Sequence, residues 1–344
     1  MIVDGHEDIA FNVLANGRAY LTSAHDIRAT EAGTGVEETA GRAMLGLREW
    51  LEAGIGLILA TVTALPRSHA AHGELSYATP DGAHEQALAQ LHVYERWAAS
   101  SEAIELVRTR EDLDRLVAGR VGLVLLIENA DVIRDPGEVG FWVERGVRLI
   151  GPAWHSNRYS GGCLEGGPLT DHGRRLLVEM ARHGVALDVT HMSDEACAEA
   201  LAVFDGPVVA THAHSRRTKP IARLLPDDVI ERIAARGGIV GVLPLNWALE
   251  PGWNRGDAKD EVGLAAVVGA IDAVRDVGGG AIDHVGIGTD FDGGQGSESA
   301  PAELDTIADL PKLAEQLAVG GYADEEVAAV MGGNWLRFLR TNLP

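Results

Sequence analysis

Lysine is nearly missing: of 344 residues only Lys219, Lys259 and Lys312 are lysines, and the other basic residues are arginine. Lys and Arg together number 29 against 51 Asp and Glu, a formal net charge of -22. A surface of that sign repels phosphates and anionic lipid, and no basic cluster is dense enough to offset it. Nucleic acid and membrane surfaces are therefore excluded as expected partners. Cysteine is equally scarce. Cys163 and Cys197 are the only two, too few for a disulfide framework, and they read as reduced thiols of a cytosolic protein. No apolar run approaches the roughly 20 residues needed to span a bilayer. Met1-Ile2-Val3-Asp4-Gly5-His6 has neither the basic end nor the apolar stretch of a secretory signal, so a cytoplasmic location is expected. A glycine-rich phosphate turn after the first apolar run is also lacking, which argues against an open nucleotide-binding sheet.

What is present is a β/α rhythm. Hydrophobic residues make up 46% of the chain, which excludes general disorder. Short apolar runs recur, most of them preceded by a helix-like stretch and a glycine, as in Leu51-Glu52-Ala53-Gly54 before Ile55 and Arg182-His183-Gly184 before Val185. Glycine just past a helix end adopts the left-handed conformation cheaply. The runs are rich in Val, Ile and Leu with little alternation, the pattern of parallel strands covered on both faces. Segments 1–8, 55–62, 121–127, 147–150, 185–189, 207–210, 239–243 and 284–289 give eight strands. The expected fold is α/β, a (β/α)8 TIM barrel forming a single domain over 1–344. Two segments, 16–38 and 66–81 (the latter with His69, His72 and Tyr77), are read as inserted loops over the C-terminal face of the barrel.

Reading the C-terminal ends of the strands gives His6 and Asp8, Glu128, His155, His191, His212 and Asp290. Catalytic groups of this barrel come from those ends. In His6-Glu7-Asp8, alternation puts positions 6 and 8 on one face and turns Glu7 away. Glu128 closes an apolar strand, where a carboxylate needs a partner or a cation. His191 and His212, on neighbouring strands, form a second pair of ligands. Nitrogen with carboxylate ligands suits zinc, with cobalt or manganese able to replace it. A metal-held hydroxide would be the nucleophile at neutral pH, and Asp290 would move its proton to the leaving amine. Asp292 is read as a turn residue, His214 as solvated beyond its strand, and His25, His69, His72, His84, His92, His172, His183 and His284 as loop or helix residues.

These residues also carry a resemblance. Asp4-Gly5-His6-Glu7-Asp8, Asp188-Val189-Thr190-His191-Met192-Ser193, Thr211-His212, Gly288-Thr289-Asp290-Phe291-Asp292-Gly293 and Gly332-Gly333-Asn334 resemble, in order, segments of the membrane (renal) dipeptidase family, a branch of the amidohydrolase barrels. The resemblance implies two zinc ions per chain, His6 and Asp8 on one, His191 and His212 on the other, and Glu128 bridging. It implies a dipeptidase that accepts L-Xaa-L-Xaa and L-Xaa-D-Xaa, with Asp290 handling protons. It further implies that His155 touches the substrate and steadies the tetrahedral intermediate, and that Arg223 binds the substrate carboxylate, for which a guanidinium fork is suited. No lysine stands at a strand end to serve as a carbamylated bridge, which leaves Glu128. Asn129-Ala130-Asp131 and Leu224 depart from the family pattern. They keep open a binuclear amidohydrolase acting on another small amide, such as an N-acyl amino acid or a lactam. A non-catalytic binding protein is disfavoured because no ligand is missing. A homodimer is left open.

Overall fold

The computed structural model describes residues 1–70 and 75–344, so His72 lies outside the described residues. Eight parallel strands, β1 (Ile2–Glu7), β2 (Ile55–Val62), β3 (Val121–Ile127), β4 (Val147–Ile150), β5 (Ala186–Asp188), β6 (Val208–Val209), β7 (Val240–Val242) and β8 (Val285–Ile287), run in chain order around a barrel. β1 to β6 share one sheet, and β7 pairs with β8. The two are joined where Ala210 bridges Val240, with Gly241 N donating to Ala210 O at 2.8 Å. The ring closes between β8 and β1. Asp290 N donates to His6 O at 3.2 Å, and the Asp4 carboxylate accepts from both Thr289 N (2.8 Å) and Thr289 Oγ1 (2.5 Å).

Parallel neighbours require crossovers, and helices supply them. Pro80–Ser100, Asp171–Arg182, Asp194–Val203, Asp227–Ala235 and Leu264–Val277 lie between successive strands. Local chemistry sets their ends. Thr79 accepts from Gly82 N ahead of Pro80 at the first helical turn. Asp227–Ala235 begins with two acids and is followed by Gly237 at φ 69°. Every residue of β2 and of β3 is buried, as uninterrupted apolar runs require, and each fully buried Leu or Ile contributes roughly 1.5–3 kcal/mol. Two glycines let the strands crowd together: a Cβ on Gly241 or Gly288 would sit 1.9 or 1.8 Å from Thr211 O. The last helix, Asn334–Asn342, plugs the opposite end of the barrel. Asn334 Nδ2 donates to Ile282 O and Val285 O, and buried Trp335 donates to Ile287 O at 3.0 Å.

The segment read as a polar loop over 16–38 contains two helices, Ala24–Glu31 and Val36–Ala40. A short strand, Ile104–Leu106, pairs with the start of β3, and an antiparallel hairpin, Ser160–Gly162 with Gly166–Leu169, follows β4. No helix among the described residues is long and apolar enough to cross a membrane.

Candidate metal centre

The strand ends converge on one oxygen atom. Glu128 Oε1 lies 3.1 Å from His191 Nε2, 3.4 Å from His6 Nε2 and 3.7 Å from His212 Nε2. Asp8 Oδ1 is 3.6 Å from His6 Nε2, and the Nε2 atoms of His191 and His212 are 3.0 Å apart. Glu128, His6 and His212 are all but inaccessible, while His191 and Asp8 face the mouth. Three overlapping groups could each hold a cation: His6, Asp8 and Glu128; Glu128, His191 and His212; and His6, His212 and Asp290.

A hydrogen-bond chain beneath the cluster fixes the imidazole tautomers. Thr211 Oγ1 is 2.6 Å from Asp188 Oδ2, and a carboxylate only accepts, so the hydroxyl hydrogen goes to Asp188. The same oxygen must then accept from His6 Nδ1 (3.2 Å) and His212 Nδ1 (2.9 Å). Both rings therefore carry a proton on Nδ1 and turn Nε2 to the centre. Asp188 also accepts from Thr190 Oγ1, Thr190 N and Thr211 N, which holds it rigid. Thr61 Oγ1 donates to Asp8 at 2.5 Å. Orienting partners of this kind raise ligand basicity and fix ring direction.

The electrostatics ask for positive charge. Burial opposes a proton on His6, yet the carboxylates of Asp8 and Glu128 hold it well above its ordinary value. Burial, then His6, Arg223 and His191, keep His212 well below its own, and burial and Arg223 depress His191. Burial would raise Glu128, but His191 and His6 bring it below the usual carboxylate range. His6 Nε2 is buried without a hydrogen-bond partner. Carboxylates that draw positive charge onto His6, beside two imidazoles that resist a proton, fit a divalent cation in that place, and this donor set suits one.

Asp290 sits beside His6 and His212 at φ 54°, and burial pushes it well above the ordinary carboxyl range. Arg223 Nη2 is 3.5 Å from His191 Nε2, and its Nη1 is buried without a partner. His155 is buried, its Nδ1 unpartnered, its ring 4.8 Å from that of His69, and burial lowers its pKa. Seven of the eight sequence-selected residues, Arg223 included, therefore meet at one barrel mouth, and His155 stands after β4 against His69.

Other residues are more deeply set than their positions in the chain suggest. Glu7 stands outside the cation-holding groups and faces Asp4, Asp292 and Trp50 instead. The β1–β2 register shifts between Asp4 and Glu7, and Glu7 is fully buried. Burial, then Asp4 and Asp292, push it well above the usual carboxyl range. His214 is buried rather than solvated, with Nε2 3.2 Å from Ala248 O, and burial depresses its pKa to about 4. The chain beyond its strand folds back under 246–249 instead of into water. Asp292 does occupy a turn, at φ 63°, but it is wholly buried. It pairs with Arg18 at 3.1 Å and accepts from Tyr20 Oη (2.9 Å) and Met44 N (2.7 Å). It thereby ties the first long segment to the turn that carries Asp290. Sequence reasoning missed Thr211, Thr61 and Arg18. The one available signal was a carboxylate, Asp188, inside an apolar strand.

A family model described as Membrane dipeptidase (Peptidase family M19) matches residues 1–342. An uncharacterized protein in the pqqA 5' region of Klebsiella pneumoniae is 31% identical over 254 residues, covering 71% of this chain and 90% of that protein. Dipeptidase tcpJ of Claviceps purpurea (strain 20.1) is 28% identical over 254 residues, covering 70% of this chain but 56% of the fungal protein. The chain thus matches little more than half the length of that relative. The crystal structure of a metallo peptidase from Rhodobacter sphaeroides, liganded with a phosphinate mimic of the dipeptide L-Ala-D-Ala, has a TM-score of 0.82 at 23% identity. It covers 100% of this chain and 99% of that one, which shows the same fold.

Proposed function

Because the chain belongs to the membrane dipeptidase family, peptidase family M19, we propose that it is a zinc-dependent dipeptidase holding two ions at one barrel mouth. His6 and Asp8 would hold one ion, His191 and His212 the other, with Glu128 shared between them. The observation that carries this reading is the placement of Glu128 Oε1 within 3.7 Å of three imidazole nitrogens, two of them turned toward it by hydrogen bonds from Nδ1 to Thr211. When bound, the ions supply Lewis acidity, polarising the scissile carbonyl and making a water nucleophilic at neutral pH.

The protein's own groups do the rest. Arg223 offers a guanidinium with a free buried N–H to the substrate carboxylate. His155, kept neutral by burial, is suited to donate a hydrogen bond to the carbonyl oxygen as charge develops there. Asp290 is buried and disposed to hold a proton, so it can take one from the attacking water and pass it to the leaving amine. Its positive φ is costly for a residue other than glycine. The buried Asp292 anchor two residues on keeps the turn in place. L-Xaa-L-Xaa and L-Xaa-D-Xaa dipeptides are the proposed substrates, the latter in line with the ligand of the Rhodobacter sphaeroides protein.

The test is a zinc-reconstituted assay over dipeptides of both configurations at the second residue, beside N-acyl amino acids and lactams. Dipeptide turnover with about two zinc ions per chain is expected. Asp290→Asn should keep its metal and lose turnover. Well under one ion per chain, or turnover of N-acyl amino acids alone, would overturn the reading.

A further inference from the structure

The barrel mouth is lopsided. On the Asp8 and Glu128 side a cavity of about 310 Å³ opens beside the metal cluster, roughly the liquid volume of ten water molecules. Its walls include Phe11 and Ala15 from the helix Ile9–Asn16, Leu65, Thr63 and Trp154. Asp8 and Glu128, both assigned above to the metals, are the only charged side chains lining it among the described residues. The free guanidinium of Arg223 belongs to the other side, against His191.

Resting on the dipeptidase reading, we infer that this cavity receives the side chain of the substrate's N-terminal residue and selects a medium or large uncharged one. The geometry gives the direction. A dipeptide whose carboxylate meets Arg223 and whose scissile carbonyl lies over Glu128 has only its N-terminal residue left to reach beyond Asp8. The chemistry gives the class. Phe11, Ala15, Leu65 and Trp154 offer apolar contact, so filling the space releases water to a favourable degree. Among the described residues, no charged side chain outside the metal cluster lines the cavity to neutralise an acidic or basic substituent, and burying an uncompensated charge is costly. Glycine would leave the cavity wet and gain nothing from it.

Ala15 is the lever. It is partly exposed, on a helix, and faces the same side as Phe11 one turn earlier. Ala15→Phe fills the cavity from a position that tolerates bulk, and Phe11→Ala removes a wall. Zinc-loaded wild type should show kcat/KM at least about tenfold higher for Leu-Ala and Phe-Ala than for Gly-Ala or Glu-Ala, the scale hydrophobic pockets reach. In Ala15→Phe the Leu-Ala to Gly-Ala ratio should collapse about tenfold, while the Gly-Ala to Gly-Leu ratio, which probes the other residue, stays within about twofold. Phe11→Ala should lower the Phe-Ala advantage severalfold and serves as the readout if Ala15→Phe does not fold. A flat N-terminal profile in wild type, or both substrate ratios moving together in the variants, overturns the assignment of the cavity while leaving the dipeptidase standing. Absence of turnover on every dipeptide by the zinc-loaded protein overturns both.

Discussion

The two sides of the barrel mouth are built by different means. The side formed by β5 and β6 is compact. His191 and His212 come straight off strand ends, and Asp188, Thr190 and Thr211 brace them from within the same two strands and the turns that follow. The side formed by β1, β2 and β3 is held at long range. Asp8 is fixed by Thr61, Asn129 donates to Ala64 O and accepts from Asn157, and the first long segment is anchored through Arg18 to Asp292. The compact side presents nitrogen ligands and a guanidinium. The assembled side presents His6, the carboxylates of Asp8 and Glu128, and a cavity. The geometry of His191 and His212 is carried by contacts within two neighbouring strands, and the space of the cavity is shaped largely by loops.

Glu128 belongs to both sides, so its loss should break the comparison outright. Glu128→Ala is expected to lower turnover by more than about 100-fold, beyond the usual effect of losing an orienting partner, with metal content reduced in a direct zinc assay. Retained metal and near-normal turnover would remove Glu128 from the centre. Arg223→Ala strikes the compact side alone. Losing a charged hydrogen bond of roughly 1.5–3 kcal/mol should raise KM for dipeptides about ten- to a hundredfold with kcat less affected. An unchanged KM would show that the carboxylate is bound elsewhere.

His214, behind the same side, should reveal itself in acid. Its pKa falls from 6.5 to about 4 on burial, so between those values the unfolded chain binds a proton that the folded chain refuses. Stability is therefore lost as pH falls through that window, by roughly 3 kcal/mol in full. His214→Gln keeps an N–H donor for Ala248, and its melting temperature should depend less on pH between 6.5 and 4 than the wild type's. Parallel curves would contradict this. The smallest effect is expected on the assembled side. Asn129→Ala removes hydrogen bonds to Ala64, Asp131 and Asn157, a loss of about 1–3 kcal/mol that should appear as a few degrees in melting temperature and a severalfold change in kcat/KM.

This asymmetry also explains what could be read in advance. The eight strands were legible because parallel strands buried on both faces leave uninterrupted apolar runs, and β2 and β3 are buried throughout. The residues of the centre were legible as candidates because polar side chains at the ends of such runs stand out against them. His214 was misread as solvated because it lies just beyond its strand, and it is buried against 246–249, an element remote in sequence. The burial of Glu7 and Asp292 was not legible either, since a shifted register and the distant Arg18 accompany it.

The chain by itself determined the strand rhythm, the apolar core and the order of ligand-bearing residues, since these rest on local periodicity and on the cost of burying charge. Only the tertiary structure decided which tautomer His6 and His212 hold, which carboxylates are anchored rather than free, and where the mouth leaves room. Those depend on distances between segments up to 285 residues apart, as between Asp4 and Thr289, and no local pattern encodes a distance of that kind.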